Sequence, residues 1–579
     1  MKRFLVLASL VILAACATTP RPASVAAGPV EVQILAINDF HGNLEPANFT
    51  VPTPDGAVPA GGAVYLASAL KQVRTRNSVT VAAGDLIGAS PISSALFLDE
   101  PSIKALSMAG LELAAVGNHE FDKGSAELKR MQAGGCEKHT SRQPCAVEPF
   151  MGAGFQYLAA NVVGEDGQTL FPGTAIKRVG GVSIGFIGMT LKETSTLVTP
   201  SGVAGLTFAD EASTANALVP GLKAAGADTI ILLIHQGAST TGRYDDPGCP
   251  GLSGDILPIL ARLDPAIRLV VSGHTHNAYI CRVPTADGGT RLLTSAGKYG
   301  AIVTDIRLTF DRPAGSLTGE SGTFVIAQGE PIQTARLTAP LVPSHRIFPA
   351  DPDVAALVKR YREAAAGAAN RSIGRLGGAV LKGSDSSESQ AAALISDGML
   401  FAAREANRGN ADFALMNNGG ARTDLMPAAD GTVTFGQIFA MQPFANNVVT
   451  QSYSGAEIKA VLEQQFASGR NSVASPNMLT PSGNFSFSVD RSRPPGQRIL
   501  AMTLNGKPID PAKTYRVAIN NFLASGGDNF TLLAGGRDPV VAGLDLDATE
   551  AYLATNPPVP ALGRITDLTP KEWTAPAAG

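Results

Sequence analysis

Short β-branched runs alternate with Ala/Leu-rich stretches from about residue 31 to residue 310. Residues 32–37, 79–82, 182–187, 229–234 and 268–271 are almost continuously apolar, as expected of strands buried on both faces. The first half therefore predicts an α/β architecture. Residues 311–350, with many Gly, Pro, Ser and Thr, predict a looser connection. At Asp351-Pro352 a capping carboxylate precedes a proline suited to the first helical position. Val354, Leu357, Val358 and Tyr361 then repeat at helical spacing and predict an interdomain helix with one apolar face. Further on, a helical pattern at 391–403 and a strand pattern at 514–519 predict a second, mixed unit. No internal repeat is visible.

The first residues read as an address. Lys2 and Arg3 precede an apolar run over residues 4–14, shorter than the roughly 20 residues that span a bilayer but suited to a secretory signal. Leu13-Ala14-Ala15-Cys16 resembles the bacterial lipobox, which implies cleavage before Cys16 and lipidation of that cysteine. Residues 18–28 then form a Pro/Ala-rich spacer. Ala17, where Asp would retain the protein at the inner membrane, implies sorting to the outer membrane. No later stretch is apolar enough for a membrane helix.

At 579 residues the chain is too long for one core, so two domains are expected. A net charge of −3 supplies no basic field, which argues against a nucleic-acid polymer as partner. Beyond Cys16 four cysteines remain, Cys136, Cys145, Cys249 and Cys281. In an oxidising compartment they suggest two disulfides. Cys136 with Cys145 and Cys249 with Cys281 are the pairs nearest in sequence, although three connectivities are open.

Chemistry concentrates where the apolar runs end. Asp39 and His41 follow the first run, Asp85 the second, and Asn118, His119 and Asp122 the segment ending at Val116. His235 follows the next, and His274 and His276 the last. Ligands of an α/β sheet gather beyond the carboxyl ends of its strands. Asp39, His41, Asp85, Asn118, His235, His274 and His276 can therefore reach one place, and all but Asn118 are imidazole or carboxylate, as in hydrolytic dinuclear sites. The glycines before Asp85, Asn118 and His274 would let the backbone turn sharply and come close. Of seven histidines, only His139 and His345 fall outside these motifs.

Asp39-x-His41, Gly84-Asp85, Gly117-Asn118-His119-Glu120, His235 and Gly273-His274-x-His276 resemble the signature of calcineurin-like metallophosphatases. Residues 38–44 and 118–122 resemble its 5′-nucleotidase branch, in lipoprotein form. Residues 417–422, 442–447 and 521–528 resemble that family's C-terminal domain, so the likeness spans residues 31–568. It implies an α/β fold: a calcineurin-like four-layer αββα metallophosphoesterase domain, a linker helix and a smaller α+β substrate-binding domain. The implied division is a signal peptide at 1–15, a lipidated N-terminus and spacer at 16–29, the metallophosphatase domain at 30–345, the linker helix at 346–370, the substrate domain at 371–568 and a tail at 569–579.

Carried over residue by residue, the resemblance gives two divalent metal ions, Zn, Mn or Co. One would be held by Asp39, His41 and His276, the other by Asn118, His235 and His274, with Asp85 between them. His119 paired with Asp122 would be catalytic. Phe444 and Phe522 would sandwich a nucleotide base, Asp528 would bind ribose, Asn417 and Asn446 would meet the base, and Arg422 would grip the nucleotide. Gly526-Gly527 would let the backbone pass close to the ligand. The chain departs from the family before Glu388, where relatives carry one or two arginines and this chain has none, leaving Arg422 and Lys382. The implied activity is removal of phosphate from nucleotides, with UDP-sugar hydrolysis or 2′,3′-cyclic nucleotide phosphodiesterase activity as alternatives. A catalytically decayed nucleotide-binding lipoprotein is the non-enzymatic alternative.

Overall fold

Alternate residues of the strand Thr229–His235 enter two different cores. Ile231 and Leu233 join Val32, Ile34, Val81 and Phe186 in one layer. Ile230, Leu232 and Ile234 pack instead with Val219 and Leu222 of helix Glu211–Ala224 and with Ile256 and Ile259 of helix Ile256–Arg262. Strand Val30–Ile37 divides in the same way. Ile34 and Ala36 face the shared layer, while Leu35 and Ile37 meet Leu66 and Leu70 of helix Ala63–Val73 and Ile103 and Leu106 of helix Glu100–Ala109. Two sheets thus pack face to face with helices outside each, a four-layer αββα arrangement. These features come from a computed structural model that describes residues 28–575 apart from 47, 141, 199, 312–315, 335–336, 445 and 470. Cys16 and the expected signal peptide lie outside the described residues.

Each sheet has six strands. In the first, Val30–Ile37, Ser78–Ala83, Leu113–Ala115 and Gln156–Leu158 run parallel. In the second, Val182–Thr190, Thr229–His235, Ile267–Ser272 and Thr290–Ala296 run parallel. Parallel order places their carboxyl ends on one side of each sheet, where the candidate ligands follow.

The connection expected over residues 311–350 is only partly loose. It contains the strand Ser316–Ile326, paired antiparallel with Ile302–Asp311 at the edge of the first sheet. Its Ser, Thr and Gly residues are mostly half-exposed or exposed. An edge strand facing solvent needs no apolar alternation, and the apolar residues of this one are confined to Leu317 and its end, Phe324-Val325-Ile326.

Helix Pro352–Ala369 begins as expected. Asp351 Oδ1 accepts the Val354 N–H at 3.1 Å, and its other oxygen lies 2.6 Å from Lys71 Nζ on helix Ala63–Val73. Val354, Leu357, Val358, Tyr361 and Ala365 belong to the core of the first domain, so the helix docks there along its whole apolar face. Beyond it a five-stranded sheet runs Leu479–Pro481, Phe413–Asn417, Thr514–Asn520, Asn447–Ser454, Arg537–Leu544. Ala414, Met416 and Ala518 face helices Gln390–Ala403 and Asp545–Leu553, whereas Phe413, Leu415, Val517 and Ile519 face helix Gly455–Glu463. Replacing Asp351 by Ala removes the helix cap and should cost about 1 kcal/mol. Because Lys71 is 39% exposed, its ion pair adds little. The expected readout is an earlier urea midpoint with unchanged metal content.

Candidate functional site: a dinuclear metal centre facing a cleft

The strand ends are joined by hydrogen bonds that continue the ladder beyond the sheet. Asp39 N–H donates to Gly84 O, His41 N–H to Asp85 O and Gly42 N–H to Leu86 O, each at 3.0 Å. The sharp turns fall on the candidate ligands themselves. Asp39, His41, Asp85, His274 and His276 have φ of 49°, 47°, 49°, 72° and 59°, a left-handed conformation uncommon for side-chain-bearing residues and found mostly at functional sites. The neighbouring glycines serve mainly close approach. A Cβ on Gly117 would lie 2.2 Å from Asp85 Oδ1, and one on Gly273 would lie 2.6 Å from Ala83 O.

All seven candidate ligands converge. Asp39, His41, Asp85, Asn118 and His235 are buried, and His274 and His276 are half-buried. Three groups bring their potential ligand atoms within 4.8 Å of one another: Asp39 with His41 and His276, Asp85 with His235 and His274, and His41 with Asp85 and His119. Asn118 Oδ1 lies 3.2 Å from His274 Nδ1.

Proton bookkeeping shows why this set suits cations. His41 Nδ1 meets the Gly88 carbonyl at 3.0 Å and His235 Nδ1 meets the Ala83 carbonyl at 2.7 Å. A carbonyl only accepts, so each Nδ1 carries the proton and a neutral ring turns an Nε2 lone pair inward. Yet His41 Nε2 lies 3.0 Å from His276 Nε2, and His235 Nε2 lies 2.9 Å from Asp85 Oδ2. Between the two histidines an Nε2 proton of His276 can form an ordinary hydrogen bond, whereas the His235 and Asp85 lone pairs repel unless a proton or a cation stands between them. In the metal-free protein a proton does so at His235: burial opposes charge, but Asp85 outweighs it and pushes this imidazole up to about 10. Burial and the neighbouring His276 and His119 push His41 down to about 3, against the pull of Asp85. Burial alone would raise Asp85, but His235 and His119 hold it well below the usual carboxylate range.

His119 Nδ1 lies 2.9 Å from Asp122 Oδ2, and the His119 N–H donates to Asp85 Oδ1 at 2.9 Å. Burial disfavours the charged ring, but Asp122 and Asp85 raise it above an ordinary imidazole. The dyad opens into a cleft lined by His119, Asp122, Asn118 and His274 from one domain and by all six expected substrate residues from the other. Phe444 lies nearly parallel to His119, 17° between planes and 5.8 Å between centroids, and Arg422 Cζ stands 5.8 Å from the same ring. Asn417 Nδ2 donates to Asp528 Oδ2 at 2.7 Å while its Oδ1 accepts from Asn520 at 3.0 Å. Gly527 makes room for Phe522: a Cβ there would lie 2.5 Å from the ring.

Other sequence expectations resolve differently. The structure joins Cys136 to Cys145 and Cys249 to Cys281, the sequence-nearest pairing. Lys382 is no free clamp, since its Nζ lies 2.8 Å from Asp385 Oδ1. Glu388 accepts the Gly563 and Arg564 N–H groups, a structural task. His139 and His345 lie beside Glu137 and Asp55, apart from the centre.

Glu120 emerges with a role its motif did not reveal. Buried, it accepts the N–H groups of Asp85, Leu86 and Gly117 at 2.9, 2.8 and 2.6 Å. Burial, reinforced by Asp85, pushes its carboxyl up to about 7. Asn38 likewise braces Asp39, donating to Asp39 Oδ2 at 2.6 Å and to Gly297 O at 2.7 Å. Their presence within the Asn38-Asp39 and Asn118-His119-Glu120 motifs was the available signal.

The four-layer fold and its inward-facing His/Asp set define a metallophosphoesterase. Residues 32–278 match the calcineurin-like phosphoesterases and residues 367–535 match the 5′-nucleotidase C-terminal domain. The chain belongs to the 5′-nucleotidase family. It is 30% identical to the cell wall protein Lmo0130 of Listeria monocytogenes, over 92% of this chain and 68% of that protein. It is 26% identical to a probable 5′-nucleotidase of Treponema pallidum, covering 88% of each. Among solved structures it is similar to the 5′-nucleotidase precursor from Thermus thermophilus, with a TM-score of 0.73, 25% identity and 93% and 99% of the two chains covered.

Glu120→Ala strands three buried N–H groups and frees the loop that aims Asp85. Metal affinity should fall roughly 10- to 100-fold, as for other residues that orient ligands. Competition with a chelating dye checks this, and unchanged affinity would remove Glu120 from the centre.

Proposed function

We propose that this hydrolase releases phosphate from nucleoside 5′-monophosphates, with the base held between Phe444 and Phe522. The observation that carries this reading is the single cleft shared by the His119–Asp122 pair and both phenylalanine rings. Asp39, His41 and His276 would hold one metal ion, Asn118, His235 and His274 the other, and Asp85 both. Divalent ions supply the charge that neutralises phosphate oxygens and acidifies an attacking water. His119, whose affinity for a proton is raised by Asp122 against its burial, would protonate the departing ribose oxygen. Asp528 and Asn417 form a polar wall suited to ribose hydroxyls and base edges, and the two rings accept different bases.

The test is a panel of 5′-monophosphates, a UDP-sugar, a 2′,3′-cyclic nucleotide and p-nitrophenyl phosphate, with and without chelator. Chelation should abolish phosphate release, and Mn²⁺, Co²⁺ or Zn²⁺ should restore it. Phe444→Ala and Phe522→Ala should each raise KM for monophosphates roughly 5- to 150-fold, from about 1–3 kcal/mol per lost stack. p-Nitrophenyl phosphate, which has no base, should be much less affected. Nucleotide kinetics unchanged in both variants would mean that the second domain does not read the base.

We further propose an exported, lipid-anchored protein, supported by the Leu13-Ala14-Ala15-Cys16 sequence. Among the described residues no helix is long and apolar enough to cross a membrane, so anchoring would rest on Cys16. Labelled palmitate should enter the wild type and not Cys16→Ser. An unlabelled wild type would disprove the anchor.

A further inference from the structure

Among the described residues the Asp122 carboxylate hydrogen-bonds His119 alone, so its aim depends on the backbone that carries it. Up to Phe121 that backbone is secured. The His119 N–H donates to Asp85, Glu120 accepts the Asp85, Leu86 and Gly117 N–H groups, and Phe121 is buried in the core of the first domain. Asp122 comes next, and Gly124, at φ 88°, then turns the chain into helix Ser125–Ala133.

Lys123 stands in the gap between these anchors. Its Nζ lies 2.6 Å from Asp99 Oδ2, and Asp99 is fully buried while the lysine side chain is 25% exposed. The other oxygen of Asp99 accepts from Ser94 Oγ at 2.7 Å. A buried carboxylate stripped of its cation is strongly destabilising, so the pair is a firm tie. It fastens the dyad to the segment 86–99, which follows Asp85. Gly88 of that segment gives its carbonyl to His41 Nδ1 and packs against the dyad. A Cβ on Gly88 would lie 2.7 Å from Asp122 Oδ2 and 2.6 Å from His119 O. At the far end of the segment Leu98 and Asp99 are left-handed, with φ of 59° and 65°, a conformation that persists only where the surroundings over-determine it. One segment therefore touches the dyad directly at Gly88 and grips its flank at Asp99.

We propose that the buried Asp99–Lys123 ion pair positions the dyad, holding the backbone of Asp122 so that its carboxylate meets His119 Nδ1. The Lys123 charge is engaged by Asp99, so this lysine acts through Asp122 and not on the substrate. The inference rests on the reading of His119 and Asp122 as the catalytic pair, but not on the identity of the nucleotide.

A double-mutant cycle on the metal-loaded full chain tests it. Lys123→Met alone would strand the Asp99 charge, so the variant to use is Lys123→Met/Asp99→Asn, which removes both charges together. Its kcat is measured on a nucleoside 5′-monophosphate and on glycerol phosphate, an alkyl ester without a base. The paired change should lower kcat roughly 10- to 100-fold, the cost of misplacing a catalytic group by about 1 Å, with metal content as in the wild type. In an Asp122→Ala background, where no carboxylate remains to be aimed, the same change should cost less than about threefold. Lys123→Arg, which keeps the charge opposite Asp99, should recover most of the activity. Equal losses in the two backgrounds would overturn the inference, because the pair would then act apart from Asp122. So would a wild-type kcat in Lys123→Met/Asp99→Asn, or Lys123→Arg as slow as that variant. Full activity in Asp122→Ala would sink the dyad reading and the inference with it. Hydrolysis of glycerol phosphate but of no nucleotide would sink only the nucleotide reading and leave the ion pair in its role.

Discussion

Asp39 and Asp85 are both buried, and the charge of Asp85 makes Asp39 harder to ionise. Around them stand imidazoles whose free nitrogens face inward, and just beneath lies a third carboxylate, Glu120. Burying negative charge without compensation is costly, so the rest of the domain is arranged to answer it. Backbone N–H groups do part of the work: His119 donates to Asp85 and His274 donates to Asp39. Imidazole protons do more at His235. Divalent cations answer the remainder, and the same positive charge is what a phosphate ester needs from a hydrolase.

That constraint explains the division of labour between domains. The first supplies a rigid centre on two sheets whose parallel strands end together. The second reaches it with Phe444, which lies against His119, and with Arg422, which stands over the same ring. A nucleotide bridging the cleft would touch the dyad through its phosphate end and the two phenylalanines through its base end. The contact between the His119 and Phe444 rings is where the two domains meet at the dyad.

Much of the centre was legible because strand-end ligands combine two strong signals: an apolar run and an immediate change to Asp, Asn or His. Helix Pro352–Ala369 was legible from its cap and its apolar stripe. The strand Ser316–Ile326 was not, since an edge strand facing water carries polar residues that read as loop. Lys382 shows a different limit. It sat near the missing arginines in sequence, but Asp385 three residues on had already claimed its charge.

The left-handed turns at Asp39, His41, Asp85, His274 and His276 carry the same logic into the backbone. Each costs on the order of 1–3 kcal/mol where the surroundings must impose it, and glycine would avoid that cost, but glycine cannot bind a metal. The protein places the strain on the ligand and the glycine beside it: Gly84, Gly117 and Gly273 each precede a candidate ligand and clear space for the neighbouring loop. The ladder of Asp39, His41 and Gly42 N–H groups onto the loop of Asp85 then fixes the two turns as one unit. A substitution that loosened either turn would relax both, and ligands of both ions would lose their aim together. Metal binding favours only the folded arrangement, so ions bound by these residues would also hold the strained turns in place.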